Sequence, residues 1–181
     1  MVAHFPFNGN VDDISTSGIF ALNNNCIFGA DRLGNPNMAT EYNNTDSYVS
    51  FNDNIVKDSL PISISVWIKV NSFSTPNPIF VSDNQFENYS GYMIITTVNT
   101  GKLSLNISAG LGGYTSANRR SFTSDTSLST GVWHHVVAII RAYNDMSIYL
   151  DCQELKGTYS GGMFHVSAME MKSDQNSKSD S

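Results

Sequence analysis

The chain is short of charge. Asp, Glu, Lys and Arg make up 14% of its 181 residues, against roughly a quarter in an ordinary soluble domain. That shortage excludes long salt-bridged helices and disorder driven by like charges. The charge present leans negative, at −6, which disfavours a general phosphate-binding surface, so no nucleic-acid partner is expected. Two cysteines, Cys26 and Cys152, do not make a disulfide framework. Two free buried thiols are expected; the alternative, a long-range bridge between them, needs a geometry that spacing alone does not supply. No apolar run approaches the ~18 residues of a membrane helix, so no membrane insertion is expected. The opening MVAHFPFNGN has neither a basic nor an apolar signal region, so no secretory signal is read in this chain. Helical periodicity is also missing: no apolar stripe at i, i+3, i+4, i+7 persists over three turns.

What is abundant is alternation. Ile62, Ile64, Val66 and Ile68 alternate with Ser63, Ser65, Trp67 and Lys69, and Leu103, Leu105 and Ile107 with Ser104, Asn106 and Ser108. Both segments read as strands with one buried face. Trp67, on the second face, suggests that this face is partly covered too. The run from Val132 to Ile140 is more continuously apolar and reads as an inner strand, with Trp133 buried between sheets. After the turn Tyr143-Asn144-Asp145, the segment Ser147 to Leu150 completes a hairpin. Turn signals such as Asn8-Gly9-Asn10, Gly34-Asn35-Pro36 and Asn99-Thr100-Gly101 recur every ~8–12 residues, the spacing of an antiparallel sandwich. The residues alone therefore predict an all-β antiparallel β-sandwich, one domain over residues 1–171. The tail 172–181, KSDQNSKSDS, has no apolar residue to bury and is expected to be disordered.

Five ordered stretches carry a resemblance. His4-Phe5-Pro6-Phe7-Asn8-Gly9-Asn10 with Val11-Asp12-Asp13-Ile14-Ser15 is the first. Asp31-Arg32-Leu33-Gly34-Asn35-Pro36-Asn37, followed by Tyr42 to Val49, is the second. Ser63 to Lys69 (SISVWIK), Leu128 to Ala138 (LSTGVWHHVVA) and Ile148 to Leu155 (IYLDCQEL) complete the set. Together they resemble the laminin-G-like and pentraxin-like branch of the concanavalin A-like lectin/glucanase superfamily over roughly residues 4–160. The resemblance implies a jelly roll of two curved antiparallel sheets. It also implies a module that binds glycans, proteins or calcium at a cell or particle surface, or one that serves as a spacer in adhesins and virion appendages. Two departures stand out. The family's hairpin turn carries Asn-Gly or Asp-Gly, whereas Asp151-Cys152 stands here, so a longer or reshaped turn is expected. The family's last strand, which pairs beside the N-terminal one, has no counterpart. Residues 163–171, MFHVSAMEM, are expected to fold back and cover that edge; otherwise a neighbouring subunit supplies the strand and the open edge makes a homo-oligomer, or the domain is marginal and aggregates.

Calcium takes oxygens from carboxylates, amides and turn carbonyls. Asn10 and Asp13 in the first loop and Asp46 before Tyr48 are the candidate ligands, Asp13 being the residue that aligns with the family's loop aspartate. The alternative for this loop is a turn capped by its own Asx hydrogen bonds. For a glycan or protein-surface ligand, the candidates are Asp83, Asn84 and Tyr89 in one loop and Tyr114, Asn118 and Arg119 in another, which set aromatic platforms beside amide, carboxylate and guanidinium groups. Catalysis finds no constellation. The paired carboxylates of a glycosidase strand and the G-x-S-x-G elbow are both missing, and His134-His135 alternate across a strand. The expected function is a non-catalytic binding module that recognises a glycan or a surface partner, with calcium as candidate cofactor. The second reading is a structural assembly protein, such as a virion appendage, decoration or filament subunit. Either sits outside the cell or on a particle surface.

Overall fold

A computed structural model describes residues 1–51, 60–82, 92–108 and 119–162. Every regular element within them is a strand, and every pairing is antiparallel. The chain divides into two compact units, Met1–Lys57 and Asp58–Ser181.

The first unit is built from two short ribbons. β1 (Ala21–Asn24) pairs with β4 (Tyr48–Phe51), and β2 (Ile27–Gly29) pairs with β3 (Ala39–Glu41). Side-chain amide and carboxylate groups shape the connections. Asn23 accepts the Cys26 N–H and donates to the Cys26 carbonyl, at 2.9 and 3.0 Å, which fixes the bend between β1 and β2. Asp31 accepts the N–H groups of Leu33 and Asn35 at 2.8 and 2.9 Å, rounding the loop whose Gly34 has φ +85°, a left-handed conformation that glycine adopts without cost. Phe5 packs against Phe51 with ring centroids 4.7 Å apart.

The second unit is a sandwich of two sheets. One has β12 (Gln153–Glu154), β11 (Asp145–Leu150), β10 (Trp133–Ala142) and β5 (Ile62–Lys69), in that order. The other runs β13 (Gly157–Gly161), β9 (Arg119–Ser127), β8 (Lys102–Ser108), β7 (Tyr92–Thr96) and β6 (Asn77–Val81). Val136, Ala138, Ile140, Met146 and Ile148 from the first sheet and Ile94, Leu103, Leu105, Ile107 and Phe122 from the second form the buried core. Tyr159 on β13 reaches across: its hydroxyl accepts the Met146 N–H of β11 at 2.8 Å. A polar group is thereby satisfied inside an apolar layer, where an orphan would be costly.

The alternating segments are strands as expected, β5 with the bounds read from the sequence. Three expectations need correction. On β8 both faces are buried, not one: Ser104 and Asn106 are closed in as well as Leu103 and Leu105. β8 is the middle strand of five, and its short polar side chains are satisfied laterally. Asn106 Oδ1 accepts the Ser121 hydroxyl at 2.6 Å, and Ser104 shares a hydrogen bond with Thr123 at 3.1 Å. Trp133 does not lie between the sheets. Since Val136, Ala138 and Ile140 face the core, the period of two turns Trp133 to the outer face, where it is half-buried. Trp67, expected to be partly covered, is exposed on the same outer face.

The hairpin turn also differs from expectation. Leu150 pairs with Gln153, so Asp151 and Cys152 alone make the turn, with φ of 49° and 69°. Two positive φ values in a two-residue loop are the type I′ geometry. The family's turn shape is kept although cysteine occupies a glycine position. The segment 163–171 and the tail 172–181 lie outside the described residues.

Candidate functional site

The three candidate calcium ligands fall in the first unit, and Asp13 is fully engaged. Its Oδ1 accepts the N–H of His4 at 2.8 Å and of Ser15 at 2.9 Å, and its Oδ2 accepts the Ser15 hydroxyl at 2.8 Å and the Ile19 N–H at 2.9 Å. Desolvation pushes this carboxyl up. The N–H groups of His4, Ile19 and Ser15 and the Ser15 hydroxyl outweigh that effect and hold it well below the usual carboxylate range. Asn10 Oδ1 accepts the Asp12 N–H at 3.1 Å. Asp46 Oδ2 accepts the Asn25 amide at 3.1 Å. Four donor dipoles converge on Asp13 with their positive ends inward, an environment built for an anion. A cation there would displace those donors before it gained a ligand, so the residues present do not fit calcium at Asp13. Among the described residues, no group of three or more His, Cys, Asp or Glu side chains is placed to hold a metal ion.

Of the candidate ligand contacts, Asp83, Asn84, Tyr89, Tyr114 and Asn118 lie outside the described residues. Arg119 opens β9 opposite Ser108.

Among the described residues, a cluster of interacting polar and aromatic side chains lies elsewhere, around β10, and was missed in the sequence. On one side, His134 Nδ1 meets Asp151 Oδ2 at 2.8 Å, and its Nε2 accepts the Ser129 N–H at 3.3 Å. That network places the proton on Nδ1. The other Asp151 oxygen accepts the His135 N–H at 2.8 Å. The His134 hydrogen bond, followed by the His135 N–H, lowers the Asp151 carboxyl below its ordinary value. This clamp ties the start of β10 to the type I′ turn.

On the outer face, register sets His135 opposite Trp67 and Trp133 opposite Lys69. The Trp67 and His135 rings stack, 5.1 Å between centroids and 25° between planes. Ser65 Oγ lies 2.8 Å from His135 Nε2 and fixes the imidazole. The Lys69 ammonium sits over the Trp133 ring, 5.4 Å from its centroid. Both tryptophans of the chain therefore stand on one face, at diagonal positions, each beside a hydrogen-bonding side chain. Alternation over residues 62–69 put Trp67 on the polar face of β5. The signal overlooked was the parity of Trp133 and His135 against Val136.

A family model for Laminin_G_3, of the concanavalin A-like lectin/glucanases superfamily, matches residues 43–168. Among solved structures, the chain is similar to the crystal structure of the binding domain of Paraclostridial Mosquitocidal Protein 1. The identity is 13% and the TM-score 0.62, over 83% of this chain and 38% of that one. The chain thus spans less than two thirds of that relative's length, and at this identity the likeness shows the fold alone. No curated protein matches.

Proposed function

The chain belongs to the concanavalin A-like lectin/glucanases superfamily, and from that premise we propose that it is a non-catalytic module that binds a glycan at a cell or particle surface. The observation that carries this reading is the outer face of the β12-β11-β10-β5 sheet, which holds aromatic rings and hydrogen-bonding groups toward solvent. Binding by display on an open sheet face suits a polymer better than a small substrate that must be enclosed. The two histidines of β10 are engaged otherwise: His134 in the turn clamp and His135 behind Trp67. A glycan array probed with the whole chain, with added calcium and with chelator, tests the reading. Retention on at least one glycan class supports it, and no retention under either condition contradicts it. The hydrogen bonds on Asp13 favour binding that survives chelation.

A second reading, a structural assembly protein, is favoured by a different observation. In the unit Met1–Lys57, Phe20, Leu22, Ile27, Leu33, Tyr42 and Tyr48 are all exposed, Leu33 by 69%. Where such side chains gather into one patch, they mark a contact with another protein. A concentration series on a sizing column separates the two readings: higher-order species that form without any glycan favour assembly.

A further inference from the structure

We propose that the ligand-bearing surface is the outer face around Trp67, and that Trp67 is the platform on which a pyranose ring stacks. This inference rests on the reading of the chain as a glycan-binding module and gives that module its site.

Trp67 is 45% exposed, a large share for the largest apolar side chain, and burying it against a ligand recovers apolar area. It does not lie loose on the surface. His135 backs one face of the indole, and Ser65 holds His135. The ring is thus set before a ligand arrives, and little ordering remains to be done on binding. Along β5 the outward positions on either side of Trp67 are Ser65 and Lys69, both exposed. Across from Lys69, Trp133 extends the aromatic surface toward the end of the strand.

A pyranose has an apolar face of C–H groups and a rim of hydroxyls that donate and accept. The indole matches the face. Ser65 and Lys69, the outward positions on either side of the platform, match the rim with a hydroxyl and an ammonium. Other partners fit less well. An added peptide strand would pair along the outer side of β5, the last strand of its sheet, and would leave the exposed indole on the sheet face unused. An amphipathic helix needs a continuous apolar groove, and here Ser63, Ser65 and Lys69 interrupt the apolar surface. Neither outward neighbour of Trp67 on β5 is a carboxylate, so sugars bearing a carboxylate meet no repulsion from that strand.

The test is affinity gel electrophoresis of the whole chain through xylan, mannan, β-1,3-glucan and polygalacturonate, the last being the acidic arm. Trp67→Ala should weaken retention by about tenfold or more, as the loss of one stacked aromatic implies, and Trp67→Phe should keep most of it. A second measurement guards against misfolding. In a Trp133→Phe chain, Trp67 is the remaining tryptophan, and its emission should shift when the retained polysaccharide is added. Trp67→Ala retained like the parent chain, or Trp67 emission unmoved at saturation, overturns the site while leaving the glycan reading in place. A parent chain retarded by none of the four polysaccharides counts against the glycan reading itself, and the site falls with it.

Discussion

His134 and Asp151 lie 2.8 Å apart, side chain to side chain, across the base of the β11–β12 turn. The second carboxylate oxygen of Asp151 holds the His135 N–H, so one exposed carboxylate ties the entry of β10 to a turn sixteen residues on. Asp151→Ala should cost about 1 kcal/mol, because the pair is screened by water. The pH dependence follows from the lowered Asp151 carboxyl. A carboxyl lowered in the fold contributes stability that is present above its ordinary unfolded value, near 3.9, and is lost as pH falls through the lower folded value. The gap between parent and Asp151→Ala should therefore be widest near neutrality and narrow below about pH 4, to the pH-independent cost of alanine at the positive φ of Asp151. Urea melts across that range measure it; a gap constant down to pH 3 would contradict the clamp.

Cys152 holds a φ of 69° in that turn, a left-handed conformation that costs an L-residue with a side chain about 1 kcal/mol. Cys152→Gly should raise stability by roughly 0.5–1 kcal/mol, the gain reduced by glycine's looser unfolded chain. The urea midpoint checks it, and a lower midpoint would mean that the cysteine side chain contributes a contact of its own.

Trp133 and Leu105 should separate cleanly under substitution. Leu105 is buried in the core, and Leu105→Ala should cost roughly 2–5 kcal/mol. Trp133, half-buried on the outer face, should cost about 1–2 kcal/mol when replaced by Ala, less than the 3–5 kcal/mol of a buried aromatic. Equal losses would return Trp133 to the core.

The strand pattern was legible because alternation is a local signal: β5 and the β10–β11 hairpin follow from residues adjacent in sequence. What escaped depended on neighbours that the sequence does not display. The run around Val136 and Ile140 looked apolar throughout, so the outward parity of Trp133 and His135 was hidden. Asn106 looked exposed because nothing in β8 itself tells that it is the middle strand of five. Asp13 has the residue type and loop position of a metal ligand. Whether its oxygens face a cation or four donors is decided by His4 and Ile19, which close on it only in the folded loop.

Asp13 organises the first loop, so Asp13→Ala should lower the melting temperature of the chain. Calcium should leave the parent melting curve unchanged, and chelator likewise, because the Asp13 oxygens are already held by four donors. A rise in melting temperature with calcium that Asp13→Asn abolishes would show that the metal outcompetes the four donors.

The measurement that bears most directly on the account is a nitrogen-15 NMR titration of the whole chain with a short oligosaccharide cut from whichever polysaccharide is retained. Two tryptophan indole signals report on the outer face. The account expects the Trp67 indole signal to move most, accompanied by the amides of Ser65 and His135, with the core amides of β8 still. Shifts confined to residues away from the β5–β10 face, with the Trp67 signal fixed at saturation, would contradict it.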